Sequence, residues 1–375
     1  MPHAACTPFS TGATVVCTGV IAGINEATNN PTVNIASGAI ITAPSSPSSA
    51  VTLSGNNVQL ENNGVIDPSA IGIPSALTSA VTIGNSNNSL VTVINNGRIT
   101  GTTDAPTSAL LGSLTGMALN IQNGGFGSTT ILNNGTLSSM PLSGTSMSGD
   151  APVVAVWGGS SVNMENRDGI MGRVAFQASA AGNVFTNVGL IFGSVSLGAG
   201  AGANRFNAQT GSSVVTGGGT AGDMAVQNKS LVFASTGTVD GGAGGNNTLA
   251  LQNGTGGGSG TGGSGSISGG TYRNFSNLIV NSGTWTVSGP LLTGSTSTTI
   301  NDGVLTLTDT LALGSGRITA NGGTLLVGAM GLVLGNDLTL QSGSLTLAGA
   351  QPLTLSGQLS GTGNLVKTGT GVTTL

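Results

Sequence analysis

The side chains that could carry chemistry are few and scattered. There is a single histidine, His3, close to the start, whereas nucleophilic catalysis of the serine type needs a base beside the nucleophile. No G-x-S-x-G turn occurs, and neither Lys229 nor Lys367 follows the glycine that a phosphate-binding loop requires. Carboxylate chemistry remains. Cleavage of polysaccharides needs clustered Asp or Glu with Lys or Arg, and Asp67, Asp104 and Asp150 are the residues to test, each in a segment without strand alternation. As turn or cap residues they have an equally simple use.

Two other constellations invite a ligand. Cys6 and Cys17 are the only cysteines. A zinc site built from them and His3 would lack a fourth ligand and the usual Cys-x-x-Cys spacing, so they read as a local disulfide, which holds a first turn of this size by roughly 2–3 kcal/mol in an exported chain. The stretch Gly241-Gly242-Ala243-Gly244-Gly245-Asn246-Asn247-Thr248-Leu249 echoes a calcium-binding nonapeptide, but Asn246 stands where the aspartate ligand belongs, and one uncharged copy holds calcium poorly. The sequence therefore assigns no catalytic residue, no metal site and no cofactor.

Composition narrows the class. Of 375 residues 66 are glycine, and only 5% are charged, with 8 basic against 12 acidic side chains; an average protein has roughly 7% glycine and about 25% charge. A net charge of −4 gives no footprint for a nucleic acid backbone. Aromatic residues are 3%, too few for one thick core, while Val, Ile, Leu and Thr are too abundant for a disordered chain. Many thin layers of small residues satisfy both limits. The longest mainly apolar run, Leu325 to Leu334, is far short of the roughly 20 residues a spanning helix needs, so no membrane insertion is expected. Met1 to Ala5 lacks the basic and apolar stretches of a signal peptide and reads as a mature region or as a piece excised from a longer chain.

The layers show themselves as a repeat. Gly283, Gly303, Gly323, Gly343 and Gly363 recur every 20 residues, followed two positions on by Trp285, Leu305, Leu325, Leu345 and Leu365 and two further by Val287, Leu307, Val327 and Leu347. Alternation of this kind buries the odd-numbered set on one face of a strand. Val280, Ile300 and Leu340 share a second register. One such unit cannot bury its apolar face alone, so the units stack as coils of a parallel β solenoid of about 20 residues per coil, with Trp285, Leu305, Leu325, Leu345 and Leu365 as a core ladder spaced about 4.8 Å. Glycine and asparagine at the corners suit the left-handed backbone of tight turns. Lys367 falls in the ladder register of Leu347, so its coil is expected to open to solvent or shift register.

The same corner recurs upstream as Asn62-Asn63-Gly64, Asn95-Asn96-Gly97, Asn133-Asn134-Gly135, Asp168-Gly169 and Val188-Gly189, but at uneven spacing. Removing three segments without alternation, 67–80, 102–116 and 138–152, returns the spacing to near 20. These read as three loops inserted at one corner, and ten of the twelve prolines lie at or before Pro152, where loops interrupt the ladder. The expected organisation is an N-terminal cap at 1–20, a coil region with inserted loops at 21–253, a Gly-rich excursion or linker at 254–270, and regular repeats at 271–375.

The terminal run Leu359-Ser360-Gly361-Thr362-Gly363-Asn364-Leu365-Val366-Lys367-Thr368-Gly369-Thr370-Gly371 resembles the passenger-associated transport repeat of bacterial autotransporters. Tyr272-Arg273-Asn274-Phe275-Ser276-Asn277-Leu278 with Asn281-Ser282-Gly283-Thr284-Trp285 is similar to a common passenger segment. The resemblance covers about 272–375. It implies an all-β, right-handed parallel β-helix displayed outside a Gram-negative cell after export through the periplasm and the outer membrane. It also implies a C-terminal translocator barrel that this sequence does not contain. The function expected is non-enzymatic: adhesion to a host or neighbouring-cell surface ligand, or self-association. A polysaccharide-binding or polysaccharide-cleaving β-helix using the loop edge, and a passive stalk, are the alternatives.

Overall fold

The structure, a computed structural model, describes residues 5–7, 11–44, 48–70, 79–85, 87, 89–103, 110–111, 116–141, 152–200, 202–215, 224–227, 230–233, 238–254 and 263–375. Among them there is no helix, and nearly every strand pairs in parallel with the strand one coil away, which makes the protein a parallel β-helix. The chain divides into two compact units, one formed by 1–185, 189–202 and 213–238, the other by 186–188, 203–212 and 239–375.

In the first unit each coil gives one strand to each of three sheets. The first sheet holds Thr14–Thr18, Thr32–Ile35, Gln59–Asn62, Leu90–Asn95, Ser128–Asn133 and Ser161–Asn166. The second runs from Val20–Ala22 through Ile40–Thr42, Val65–Ile66, Arg98–Thr103, Thr136–Pro141, Gly169–Met171 and Leu190–Phe192 to Ser213–Val215. The third holds Ile24–Glu26, Val51–Leu53, Val81–Gly84, Leu119–Gln122, Pro152–Trp157, Arg173–Phe176 and Val195–Ser196. Register stacks like on like. Val33, Leu60, Val93, Ile131 and Met164 face one another across the first sheet. Ile41, Ile66, Ile99, Leu137, Ile170 and Ile191 do so across the second. All are buried, and burial of each such side chain contributes about 1.5–3 kcal/mol.

The corner between the first two sheets carries the repeated Asn-Asn-Gly. The first asparagine of each points inward, and the amides form a buried ladder: Asn62 Nδ2 donates to Asn95 Oδ1, Asn95 to Asn133 and Asn133 to Asn166, each at 2.8 Å. Their second amide hydrogens reach turn carbonyls, as Asn95 Nδ2 does Thr136 O at 3.2 Å. The second asparagine forms an outer ladder, with Asn96 donating to Asn63 and Asn134 to Asn96. The glycines here are not in the expected left-handed conformation; none of Gly64, Gly97 and Gly135 has a positive φ. They are required by close approach instead: a Cβ on Gly97 would lie 2.1 Å from the carbonyl oxygen of Gly64, and one on Gly135 would lie 2.1 Å from that of Gly97.

Coil formation begins earlier than residue 21, since Thr14–Thr18 already pairs in parallel with Thr32–Ile35. Among the described residues the short Ala5–Thr7 strand alone precedes it, antiparallel, with Cys6 opposite Cys17 and the two joined by a disulfide.

The second unit has a sheet of Arg205–Gln209, Thr248–Gln252, Phe275–Val280, Leu292–Ile300, Arg317–Ala320, Leu338–Leu340 and Leu359–Gly361. Val280, Ile300, Ala320 and Leu340 share one register in it. A second sheet holds Ser264–Ser268, Thr284–Ser288, Val304–Leu307, Thr324–Val327, Ser344–Ala348 and Asn364–Lys367. The Gly-rich 254–270 reading is thereby corrected at its C-terminal end. Ser264–Ser268 is a coil strand, because Gly265 sits opposite Trp285 and the absent side chain makes room for the indole, whose Cζ3 would be 2.1 Å from a Cβ there. Residues 255–262 lie outside the described residues.

The core ladder also needs correction. Trp285, Leu305 and Leu325 face one another, but Leu325 then faces Leu347, and Leu345 faces Leu365. Ala320 still faces Leu340, while Thr346 rather than Ser344 donates to the carbonyl of Gly323, so two extra residues are taken up at the corner after Leu340. A slip of two leaves every side chain on its own face, and Leu345 and Leu347 both stay buried. Lys367 stands opposite Leu347 but is exposed, its ammonium donating to the Gly369 carbonyl at 2.6 Å.

Two substitutions test these accounts by urea denaturation. Asn95→Ala strands a donor on Asn62 and acceptors on Asn133 and Thr136, and is expected to cost about 2–4 kcal/mol, whereas Asn301→Ala in the exposed Asn281–Asn301–Asn321 ladder should stay within about 0.5 kcal/mol. Gly97→Ala should cost more than about 2 kcal/mol, while Gly84→Ala, with nothing within 4 Å of the new Cβ, should be neutral or slightly stabilising.

Candidate interaction surface

The three insertions leave the coil at one place, between a strand of the second sheet and the next strand of the third. Their bases are stacked neighbours. Arg98–Thr103 pairs residue for residue with Thr136–Pro141, so the ladder continues through 102–103 and 138–141, where the second and third insertions are expected to begin; Val81–Gly84, Leu119–Gln122 and Pro152–Trp157 pair side by side on the far side of all three. Buried hydroxyls and close backbone contact fasten these bases. Ser139 Oγ lies 2.7 Å from the Pro152 carbonyl oxygen and 3.2 Å from that of Gly116. A Cβ on Gly101 would lie 2.3 Å from the backbone of Met117.

Asp67 sits at the base of the first insertion and is buried there. Its Oδ1 accepts from the backbone N–H of Ser69 at 2.9 Å and from the Ser69 hydroxyl at 2.6 Å, and its Oδ2 pairs with the Arg98 guanidinium one coil on at 3.3 Å. The carboxylate is thus a clamp between coils and is occupied as such. Asp104 and Asp150 lie outside the described residues, as does His3. Of the three aspartates the structure describes Asp67 alone.

The Gly241–Leu249 corner is likewise engaged with its own fold. Asn246 Oδ1 accepts from Asn277 at 2.7 Å, and the buried Asn247 amide donates to the carbonyls of Gly242 and Asn274. Asp240 pairs with Arg273 at 3.0 Å and accepts from Asn274 and from the Gly242 N–H, each at 2.7 Å. Among the described residues no group of three or more His, Cys, Asp or Glu is placed to hold a metal.

Comparison with protein-family models, with curated proteins and with solved structures finds no match. The functional reading rests on the surface itself.

A further element belongs to that surface. Residues 224–227 and 230–233 form an antiparallel hairpin, and Leu231 and Val232 pair antiparallel with Leu111 and Leu110 of the second insertion. The hairpin lies against the Pro152–Trp157, Arg173–Phe176 and Val195–Ser196 strands of the third sheet. All six residues of Pro152–Trp157 and all four of Arg173–Phe176 are buried, so both faces of the sheet are covered there. The unbroken apolar run Val153-Val154-Ala155-Val156-Trp157 was the available signal, since a strand covered on both faces loses its alternation.

The outward face of the second sheet is the other exposed feature. Its eight strands contain one charged residue, Arg98, which Asp67 neutralises. Val20, Leu190, Phe192 and Val215 are exposed on it. The face is nearly uncharged and partly apolar.

One titration checks the packing of the second unit. Tyr272 is the only tyrosine. It is buried with its ring edge-on to Phe206 at 5.8 Å, and burial pushes its hydroxyl well above the ordinary value of 10.0. The native state then keeps the proton after an unfolded chain has lost it, so stability is full below pH about 10 and falls as pH rises beyond. The phenolate absorbance band is expected only on alkaline unfolding, and Tyr272→Phe should flatten the alkaline loss of stability; phenolate appearing in the folded protein near pH 10 would contradict this burial.

Proposed function

We propose that this chain is a non-enzymatic passenger displayed on a bacterial surface, exported through the periplasm and outer membrane as its resemblance to autotransporter passengers implies. It binds a host or neighbouring-cell surface ligand, or another copy of itself, through the edge that carries the inserted segments. One observation carries this reading: the insertions spring from consecutive coils at the same corner, on strands paired in register. Long inserts at the same corner of successive coils concentrate variable chain along one line. The low charge of the adjoining sheet supports contact with a second neutral surface, because little like-charge repulsion opposes approach. Asp67, the carboxylate that a glycan-cleaving site on this edge would use, is committed to Ser69 and Arg98.

The test is to replace 71–78, 104–109 with 112–115, and 142–150 by short turns, singly and together, in a chain displayed on cells. Cell-to-cell aggregation and adherence to host-cell surfaces are the readouts. The combined replacement is expected to lower one of them at least tenfold with display unchanged. Unaltered aggregation and adherence, or turnover of a glycan panel that Asp67→Asn abolishes, would overturn the reading.

A further inference from the structure

The first strand of the parallel ladder is closed on its outer side by a bonded flap. Thr14–Thr18 pairs on one side with Thr32–Ile35, and on the other with Ala5–Thr7, which runs antiparallel and is only three residues long. Cys6 and Cys17, opposite one another with Cα atoms 4.2 Å apart, are bonded. No free cysteine exists, so this is the one bond a mild reductant can break. Without it three strand pairs must hold the flap, and a strand so short is marginal.

Release of the flap would uncover a strand edge with a defined polarity. Thr32 N–H donates to Ala13 O and Ala36 N–H to Cys17 O. The odd-numbered residues therefore direct their backbone groups into the ladder, and Thr14, Val16 and Thr18 direct theirs outward. The strand reads Thr-Val-Val-Cys-Thr, which is close to palindromic, uncharged and rich in β-branched residues. Turned about a twofold axis at Val16, two copies pair Thr14 with Thr18, Val15 with Cys17 and Val16 with Val16. The outward residues then fall in hydrogen-bonded pairs, and the inward Val15 and Cys17, both fully buried, meet on the core side of both solenoids. The edge already accepts an antiparallel strand.

We infer that this edge is a latched self-association site whose partner is the same strand of a second copy, joined head to head when the Cys6–Cys17 bond is opened. The pairing is isologous and closes at two, and it uses none of the inserted segments, so it stands or falls separately from the loop-borne function above.

Sedimentation equilibrium of the whole chain, before and after reduction with a phosphine under conditions that keep its β circular dichroism, is the test. The mass attributable to this contact is expected to double on reduction, and Val16→Lys, which sets two ammonium groups opposite each other at the axis without entering the core, should prevent the doubling. Register is tested separately: Cys6→Ala with Val15→Cys places a thiol opposite Cys17 of the partner, and oxidation should give a covalent dimer on a non-reducing gel, while Cys6→Ala with Thr14→Cys should give none. Reduced protein that keeps its fold and shows no increase in mass, or doubling that Val16→Lys leaves intact, would overturn the inference.

Discussion

In-register stacking of the backbone is the constraint on which everything else depends. Parallel hydrogen bonding sets each coil about 4.8 Å above the last, so any position in the coil is a column of side chains rather than a site. A column of branched apolar side chains at Ile41, Ile66, Ile99, Leu137, Ile170 and Ile191 is buried throughout because like shapes repeat at fixed spacing. A column of asparagines works for a different reason. An amide has a donor at one end and an acceptor at the other, so Asn62, Asn95, Asn133 and Asn166 each satisfy the next. Few other polar side chains can fill a buried column in this way, since a carboxylate stacked on a carboxylate has acceptors only.

The constraint also explains which parts of the fold were legible beforehand. Columns impose a period, so the 20-residue repeat and the apolar alternation of 284–307 could be read from residue types alone, and the insertions emerged once their lengths were set aside. The slip between Leu325 and Leu347 was not legible, because a two-residue shift preserves the pattern of inside and outside that the reading relied on. The limits of the coil at its first strand were hidden by the brevity of Thr14–Thr18 and Thr32–Ile35, four or five residues each, whose corners carry Gly19 and Gly38 without the Asn-Asn-Gly that marks the later coils.

Glycine shows how one residue type serves two physical ends. In the second unit Gly283, Gly303 and Gly323 have φ of +87, +81 and +79, a backbone that other residues adopt at a cost. In the first unit Gly64, Gly97 and Gly135 have ordinary φ and are needed because successive corners nearly touch. Sequence shows a glycine at a corner in both cases and cannot separate them, since the distance to the coil below is a property of the stack. The same limit applies to the hairpin at 224–233, whose antiparallel pairing with Leu110 and Leu111 joins segments far apart in sequence and outside any period.

Charge follows from the columns as well. Two like charges at successive rungs, about 4.8 Å apart, repel by roughly 1 kcal/mol in water and by about 3–4 kcal/mol at the effective dielectric of a protein surface. A repeat multiplied over many coils cannot carry a charged residue at a fixed position without accumulating that cost. The 5% charged content is thus a property the architecture imposes, before any partner is considered. Some of the charges that remain are met by the opposite sign: Asp67 meets Arg98 one coil on, Asp240 meets Arg273 one coil on, and Glu165 meets Arg167 two residues along its own chain. Others bond to backbone groups, as Asp309, Asp337 and Lys367 do. Any partner of a surface built under that rule would be met by shape, amide and hydroxyl hydrogen bonding and apolar contact. Long-range electrostatic steering plays little part, and salt should affect such contacts weakly.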